Sequence, residues 1–505
     1  MEIHYMIIGM LLLYFFVLII VGLITSKNFN SLEEYFLGGR KLSSYIMALS
    51  FSSTGMSGWL TLGFAGYTYE NGFQSLWIMI PSITVGIIIC YKMVSKRLRY
   101  YSEQIGAITV IELIKKRFYD NTNILTIITE IMICAATIAY VSGQLIASGK
   151  LLNIILHWNY QVSVFVTAIV MVVYTVLGGF IAVCWTDVIQ GILMIVGSFL
   201  AGIFAWMYSG GFEKLSYELI QTSHSNPDFL ITPFAGVGAI VMGMSLFIGD
   251  GIFNWVGQPT LMVKYMAAKD SKTLSQAAII NIIIQFVLFG GVFLASVYMR
   301  TQFPDASTLP YSGDTETVLI QFFITMTHPM IVGIIIAAII AAIMSTSDSL
   351  LMMATSVLVN DIYNTLYPKA SQKHLIFVSR ITTILLGIIS VIISLNKSSV
   401  LWSSWFGWTT LGIVGAPIVI GLYWKRATKE GAIVGILSGF IVLIVWNVFG
   451  LTQILNIFHG LSACGTAYIM TILVSLFTPK PPAHLMREID DLKNRRNNLN
   501  KVELD

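Results

Sequence analysis

Three acids stand inside apolar runs of this chain: Asp187, Asp250 and Asp348. A carboxylate at membrane depth is costly, so each marks a functional site by default. Asp348 lies in Ser345-Thr346-Ser347-Asp348-Ser349. Helical i, i+3, i+4 spacing puts Ser345, Asp348 and Ser349 on one stripe. Three oxygen side chains on a stripe suit a hard cation or a protonatable relay. Asp250 stands between Gly249 and Gly251. It is open to three roles: partner of a substrate amine, ligand of a cation, or wall of an aqueous vestibule. Asp187 opens an apolar run and reads equally as an interfacial helix N-cap. The four cysteines, Cys90, Cys134, Cys184 and Cys464, have no metal or disulfide spacing. The seven histidines form no cluster either. Without a convergent acid/base or nucleophile set, the chain is not expected to be an enzyme. Nor is there a repeated loop or charged ring of the kind a channel filter needs.

The elements that must position these acids are membrane helices. Of 505 residues, 56% are hydrophobic and 11% charged, against about 25% charged in soluble chains. Mean hydropathy is +0.80. Soluble enzymes and nucleic-acid binders are excluded, and the long apolar runs exclude a β-barrel. With about 20 residues per crossing, thirteen spans are expected: 5–26, 44–66, 74–95, 122–149, 160–178, 185–208, 233–264, 275–299, 328–362, 374–395, 400–424, 430–449 and 457–478. Short amphipathic helices are expected near 107–118 and 314–326. The first span has no preceding Lys or Arg and no cleavage site, so it reads as a retained helix. With the N-terminus outside, 25 of the 29 Lys and Arg residues fall inside. Only Lys150, Lys214, Arg300 and Lys397 remain outside, a strong positive-inside bias. The C-terminus is then cytoplasmic, with residues 481–505 a tail too short for a regulatory domain.

Two spans are not smooth. The second contains Ser50-Phe51-Ser52-Ser53-Thr54-Gly55-Met56-Ser57-Gly58. The seventh contains Gly249-Asp250-Gly251-Ile252-Phe253-Asn254-Trp255-Val256-Gly257-Gln258-Pro259. Gly and Pro weaken helices, and hydroxyls offer freed backbone groups local partners. Both stretches are predicted to unwind, each opening a set of five spans. Five is odd, so the second set is inverted, the pattern of many secondary transporters. The repeats run from about 44 to 208 and from 233 to 424, within one transporter domain, 1–480.

The motifs carry a resemblance. Tyr35-Phe36-Leu37-Gly38-Gly39-Arg40, Met56-Ser57-Gly58-Trp59 and Trp185-Thr186-Asp187-Val188-Ile189-Gln190 resemble the sodium/solute symporter family. So do Gly257-Gln258-Pro259 and Ala341-Ala342-Ile343-Met344-Ser345-Thr346. The closest branch is the sodium/proline symporters. The resemblance implies an all-α polytopic membrane protein with about 13 transmembrane helices and a leucine-transporter-type 5+5 inverted repeat. It implies sodium as coupling ion, bound by the carbonyls of Ser53, Met56 and Ala342 and the hydroxyls of Ser345 and Thr346. It gives Asp187 a role in sodium exit and, with Ser345, Asp348 and Ser349, a place in a second cation site. Tyr140 matches the family's substrate-side tyrosine.

Two positions depart from the proline branch: Gly55 stands where it has Asp, and Gly251 where it has Trp. The solute is expected near Tyr140, Gly55, Ser57, Asp250, Gly251, Trp255, Gln258 and Pro259. The expected function is sodium-coupled symport into the cell, with an amino acid such as proline as solute. Proton coupling, or a carboxylate, vitamin or sugar solute, is the alternative. The expected partners are solute, sodium and the lipid bilayer, with no nucleic acid and a monomeric working unit.

Overall fold

The computed structural model describes residues 2–25, 31–225 and 229–502; Lys27, counted above on the inner side, lies outside them. The described residues form helices joined by short turns, with two isolated bridges, Leu42 to Ala268 and Gly72 to Leu230. In lipid every backbone group must be satisfied within the segment, and a helix does this. Among the described residues, twelve helices are long and apolar enough to cross a membrane. The expected span missing from the twelve is 44–66, because it is divided. Its first part, Ser44–Gly55, ends at Met56 with φ −113 and ψ 54. The chain resumes as a π-helical turn, Trp59–Phe64, and the helix Ala65–Asn71.

The seventh span breaks where its sequence predicts. Gly236–Ile248 runs into a π-helical turn, Gly249–Asn254. Gly257 and Gln258 leave the helix, and Pro259 restarts it as the first residue of Pro259–Ala267. Pro is well placed there, since its missing N–H is one no helix would use. π-Turns cluster at functional sites, and here one lies beside each break.

One expected boundary is corrected. Spans 160–178 and 185–208 are both present, as Tyr160–Leu177 and Gly179–Ser209, but the second begins earlier than expected, because the chain turns between them at Gly179 alone, with φ 58 and ψ −160. A glycine in the left-handed region turns the chain without any loop residues. A Cβ there would lie 2.7 Å from the Tyr35 ring. Asp187 consequently sits two turns inside a helix, fully buried, and is not an N-cap.

The Val400–Tyr423 helix packs on both breaks. A Cβ on Gly415 would strike the Gly257 carbonyl, and one on Gly257 would lie 2.7 Å from the Gly412 carbonyl. Arginines of the expected inner side close helix ends. Arg97 and Arg117 donate to Leu422 O (2.9 Å) and Gly421 O (2.7 Å) at the end of that helix. Arg40 and Arg99 donate to Met266 O (3.0 Å) and Ala268 O (2.5 Å) at the end of Pro259–Ala267. At the other end, Glu316 accepts from Ser399 Oγ (2.6 Å), Val400 N (3.0 Å) and Leu401 N (2.9 Å), and pairs with Lys150 at 2.6 Å. The amphipathic helices are Val110–Arg117 and Val318–Met326. The polar tail carries a helix, Ala483–Val502, docked through Leu485, Ile489 and Leu492.

Candidate functional site

The first break frees carbonyls, and Ser345 and Thr346 reach them from the Pro329–Ser356 helix. Ser345 Oγ donates to Ser53 O at 2.9 Å and to Ala342 O at 3.1 Å. Thr346 Oγ1 donates to Thr54 O at 2.8 Å and lies 3.4 Å from Ser53 O. Met56 caps the helix through its N–H to Ser52 O at 3.0 Å. All five expected sodium residues are buried. Two further freed groups have partners: Gly58 N donates to Gln144 Oε1 at 2.8 Å and Trp59 N to Ser57 Oγ at 3.0 Å. The cluster is neutral and all-oxygen, the donor set a hard monovalent cation prefers. These are the kinds of oxygen expected to hold sodium, the cargo ion, and here the two hydroxyls donate to the carbonyls.

One turn further on, the chain supplies its own cation. Lys264 Nζ lies 2.8 Å from Asp187 Oδ2, 2.7 Å from Ser50 Oγ and 3.1 Å from Ser349 Oγ. Lys264 is 1% exposed and Asp187 0%. Ser50 Oγ also meets Asp187 Oδ2 at 2.5 Å, and Ser349 Oγ meets Thr54 Oγ1 at 3.0 Å. Asp348 accepts from Tyr174 OH at 2.8 Å, and its other oxygen is unpartnered. Asp187, Asp348 and Ser349 are thus gathered, but with an ammonium among them. Sequence reasoning counted Lys264 as an inner-surface charge. The signal was available: Leu261, Met262 and Val263 precede it, and Tyr265, Met266 and Ala267 follow. A lysine within an apolar run is a functional candidate by default.

A tightly closed cavity of about 10 Å³, room for about one water, lies against the other side of the first break. Five rings wall it: Trp59, Tyr140, Trp255, Trp405 and Trp408. Gly55, Ser404 and Asp250 complete it. The Tyr140 and Trp408 ring centroids are 5.8 Å apart, and those of Trp255 and Trp408 are 5.9 Å apart at 72°. Tyr140 OH meets Ser57 Oγ at 2.9 Å, tying the pocket to the break. A Cβ on Gly55 would lie 2.9 Å from the Trp255 ring. The space a side chain at position 55 would need is therefore held by an indole. Gly251 does not line the cavity; its carbonyl packs against Gly86 and its Cα side against Pro81. Gln258 and Pro259 also lie outside it, and both polar atoms of the buried Gln258 lack partners. Trp59, Ser404, Trp405 and Trp408 were not singled out as pocket residues from sequence. An aromatic in an apolar run looks like ordinary packing until its neighbours are known.

Interrupted helices in a membrane bundle, with an oxygen cluster and an aromatic cavity on two sides of one break, define a sodium-coupled secondary transporter. Residues 35–439 match the Sodium:solute symporter family, and the chain belongs to that family. It is 32% identical to the high-affinity proline transporter PutP of Bacillus subtilis (strain 168), over 94% of this chain and 99% of that protein. It is 31% identical to the sodium/proline symporter of Staphylococcus aureus (strain JH9), over 96% of this chain and 95% of that one. A solved Na+-coupled sialic acid symporter, substrate-bound and outward-open, matches with a TM-score of 0.77 at 20% identity, covering 94% and 99% of the two chains. The fold is of the leucine-transporter type, and the protein is a multi-pass membrane symporter of sodium and a small solute.

Proposed function

We propose that the chain carries proline, or a closely similar small amino acid, into the cell together with sodium by alternating access. One observation carries this reading. The carbonyls of Ser53 and Thr54 face Ser345 and Thr346, while the next residue, Gly55, lines the aromatic cavity. Ion and solute thus share one unwound segment, so an ion that orders it also shapes the pocket. The proline transporters named above support the choice of solute. In this reading 44–208 and 233–424 are the inverted halves of a 1–480 domain. The N-terminus is outside, 481–505 is cytoplasmic, and the monomer is the working unit. Lys264 and Ser349 border a second, narrow cavity of about 20 Å³ with Met352, Met353 and Ser356, and in this reading sodium leaves on that side, past Asp187.

One charge crossing 100 mV releases about 2.3 kcal/mol. A tenfold sodium gradient adds about 1.4 kcal/mol. Together they support a solute gradient of several hundred-fold per ion. The test is uptake of radiolabelled proline by proteoliposomes, with sodium and proton gradients imposed separately. Accumulation is expected with sodium alone; accumulation driven only by protons, or no proline uptake, would sink the reading.

A further inference from the structure

The aromatic cavity has two electrical poles, and neither is satisfied by the protein. Asp250 is 2% exposed. Its Oδ1 receives one long contact, 3.4 Å from Asn254 Nδ2, and its Oδ2 receives none. Asn254 is itself fixed, donating to Thr409 Oγ1 at 3.1 Å and accepting from Cys464 Sγ at 3.3 Å. None of the residues lining the cavity carries a positive charge. A buried, unpaired carboxylate is costly by several kcal/mol, and a cation entering the cavity would relieve that cost. The complementary pole is made of donors. Trp59 Nε1 and Trp405 Nε1 are buried N–H groups without partners, and both residues line the same cavity. An indole N–H can only donate, and buried donors are nearly always paired in a native structure. Tyr140, Trp255 and Trp408 line the same cavity, and their π faces attract a cation.

We propose that this site selects a compact zwitterion with an N–H-bearing cationic amine on Asp250 and a carboxylate on the indole N–H groups of Trp59 and Trp405. The proposal rests on the symport reading and supplies the substrate class. An amine with N–H groups satisfies Asp250 Oδ2 by a charge-assisted hydrogen bond. A quaternary ammonium offers the charge without the donor, and a ring ether offers neither. The cavity is narrow, about 10 Å³ as it stands, so the less it must open the better, and a small ring or a short side chain asks least of it.

The test is competition for sodium-driven proline uptake in proteoliposomes by three compounds of one shape. These are proline, its N,N-dimethyl derivative and tetrahydrofuran-2-carboxylate. The last two are expected to compete at least about tenfold more weakly, the scale of a lost charged hydrogen bond. Asp250→Asn is expected to raise the proline KM about tenfold or more, to narrow that gap, and to leave sodium half-saturation unchanged. Trp405→Phe is expected to weaken proline while leaving pyrrolidine, which has the ring and amine but no acceptor for an indole N–H, unaffected. Equal competition by all three compounds would overturn the proposal. So would an unchanged KM in Asp250→Asn, or a shifted sodium dependence with amine selectivity intact, which would make Asp250 an ion ligand. Equal loss for proline and pyrrolidine in Trp405→Phe would overturn the indole assignment. The analogue series needs no variant, so it reads the proposal even where Asp250→Asn fails to fold. If proline is not carried at all, the solute reading fails by itself. Sodium-dependent thermal stabilisation of the purified protein then reads the charge rule, using N–H amino acids against their N-permethylated and deaminated counterparts.

Discussion

Lys264 and Asp187 meet at 2.8 Å with almost no exposure. Removing one partner of a buried pair strands a charge and costs about 3–5 kcal/mol, whereas replacing both is often nearly neutral. Lys264→Met alone, and Asp187→Asn alone, are expected to lower thermal stability strongly, and the double variant to recover much of the loss. Three equal losses in a melting assay would refute that coupling. At the sodium cluster, Thr346→Ala removes one oxygen and leaves Thr54 O short of its donor. A loss of about 1–2 kcal/mol should raise sodium half-saturation about tenfold in uptake assays, at little cost to the maximal rate. The residues that meet at the first break, Ser53, Ser345 and Thr346, were legible as a group because they lie in two short motifs. Lys264 was not recognised because its partner lies 77 positions away, and only the fold brings Ser50 and Ser349 to the same ammonium.

At the scale of elements, both breaks were readable, since Gly, Pro and hydroxyl residues concentrate at them. Of the two spans that meet at Gly179, the second was expected to start later than it does. A loop and a one-residue kink both call for glycine, and the apolar pattern is the same on either side. Helix contacts were less legible still, because nothing in the sequence says which glycine meets backbone. Gly415 meets the Gly257 carbonyl, while nothing lies within 4 Å of a Cβ on Gly290. Gly415→Ala should therefore push the Val400–Tyr423 helix off the second break, costing about 1–3 kcal/mol and most of the uptake. Gly290→Ala should be close to wild type in both. Loss of transport in both variants would deny the crossing its importance.

For the whole molecule, the charge bias marked a side of the membrane, but the structure gives several of those charges a second task. Arg40, Arg97, Arg99 and Arg117 hold the carbonyl ends of two helices that flank the breaks. At the opposite end Glu316 straps Lys150 to the start of Val400–Tyr423. Burial pushes the Glu316 carboxyl up, but Lys150, the Leu401 N–H and Ser399 outweigh it and hold it below its ordinary value. A depressed carboxylate stabilises the fold above its unfolded pKa, and that contribution is lost as pH falls through the folded value. Wild type should therefore shed stability below about pH 4. Glu316→Gln should be less stable at neutral pH and lack that component of the acid transition. Identical melting-versus-pH curves for the two proteins would refute the strap.

The ammonium beside Asp187 also has an electrical consequence. A fixed cation and anion 2.8 Å apart present the membrane field with a short dipole and no net charge. If the core rocks with that pair intact, its own movement carries almost no gating current. With a zwitterionic solute, the current of each cycle is then the sodium's alone.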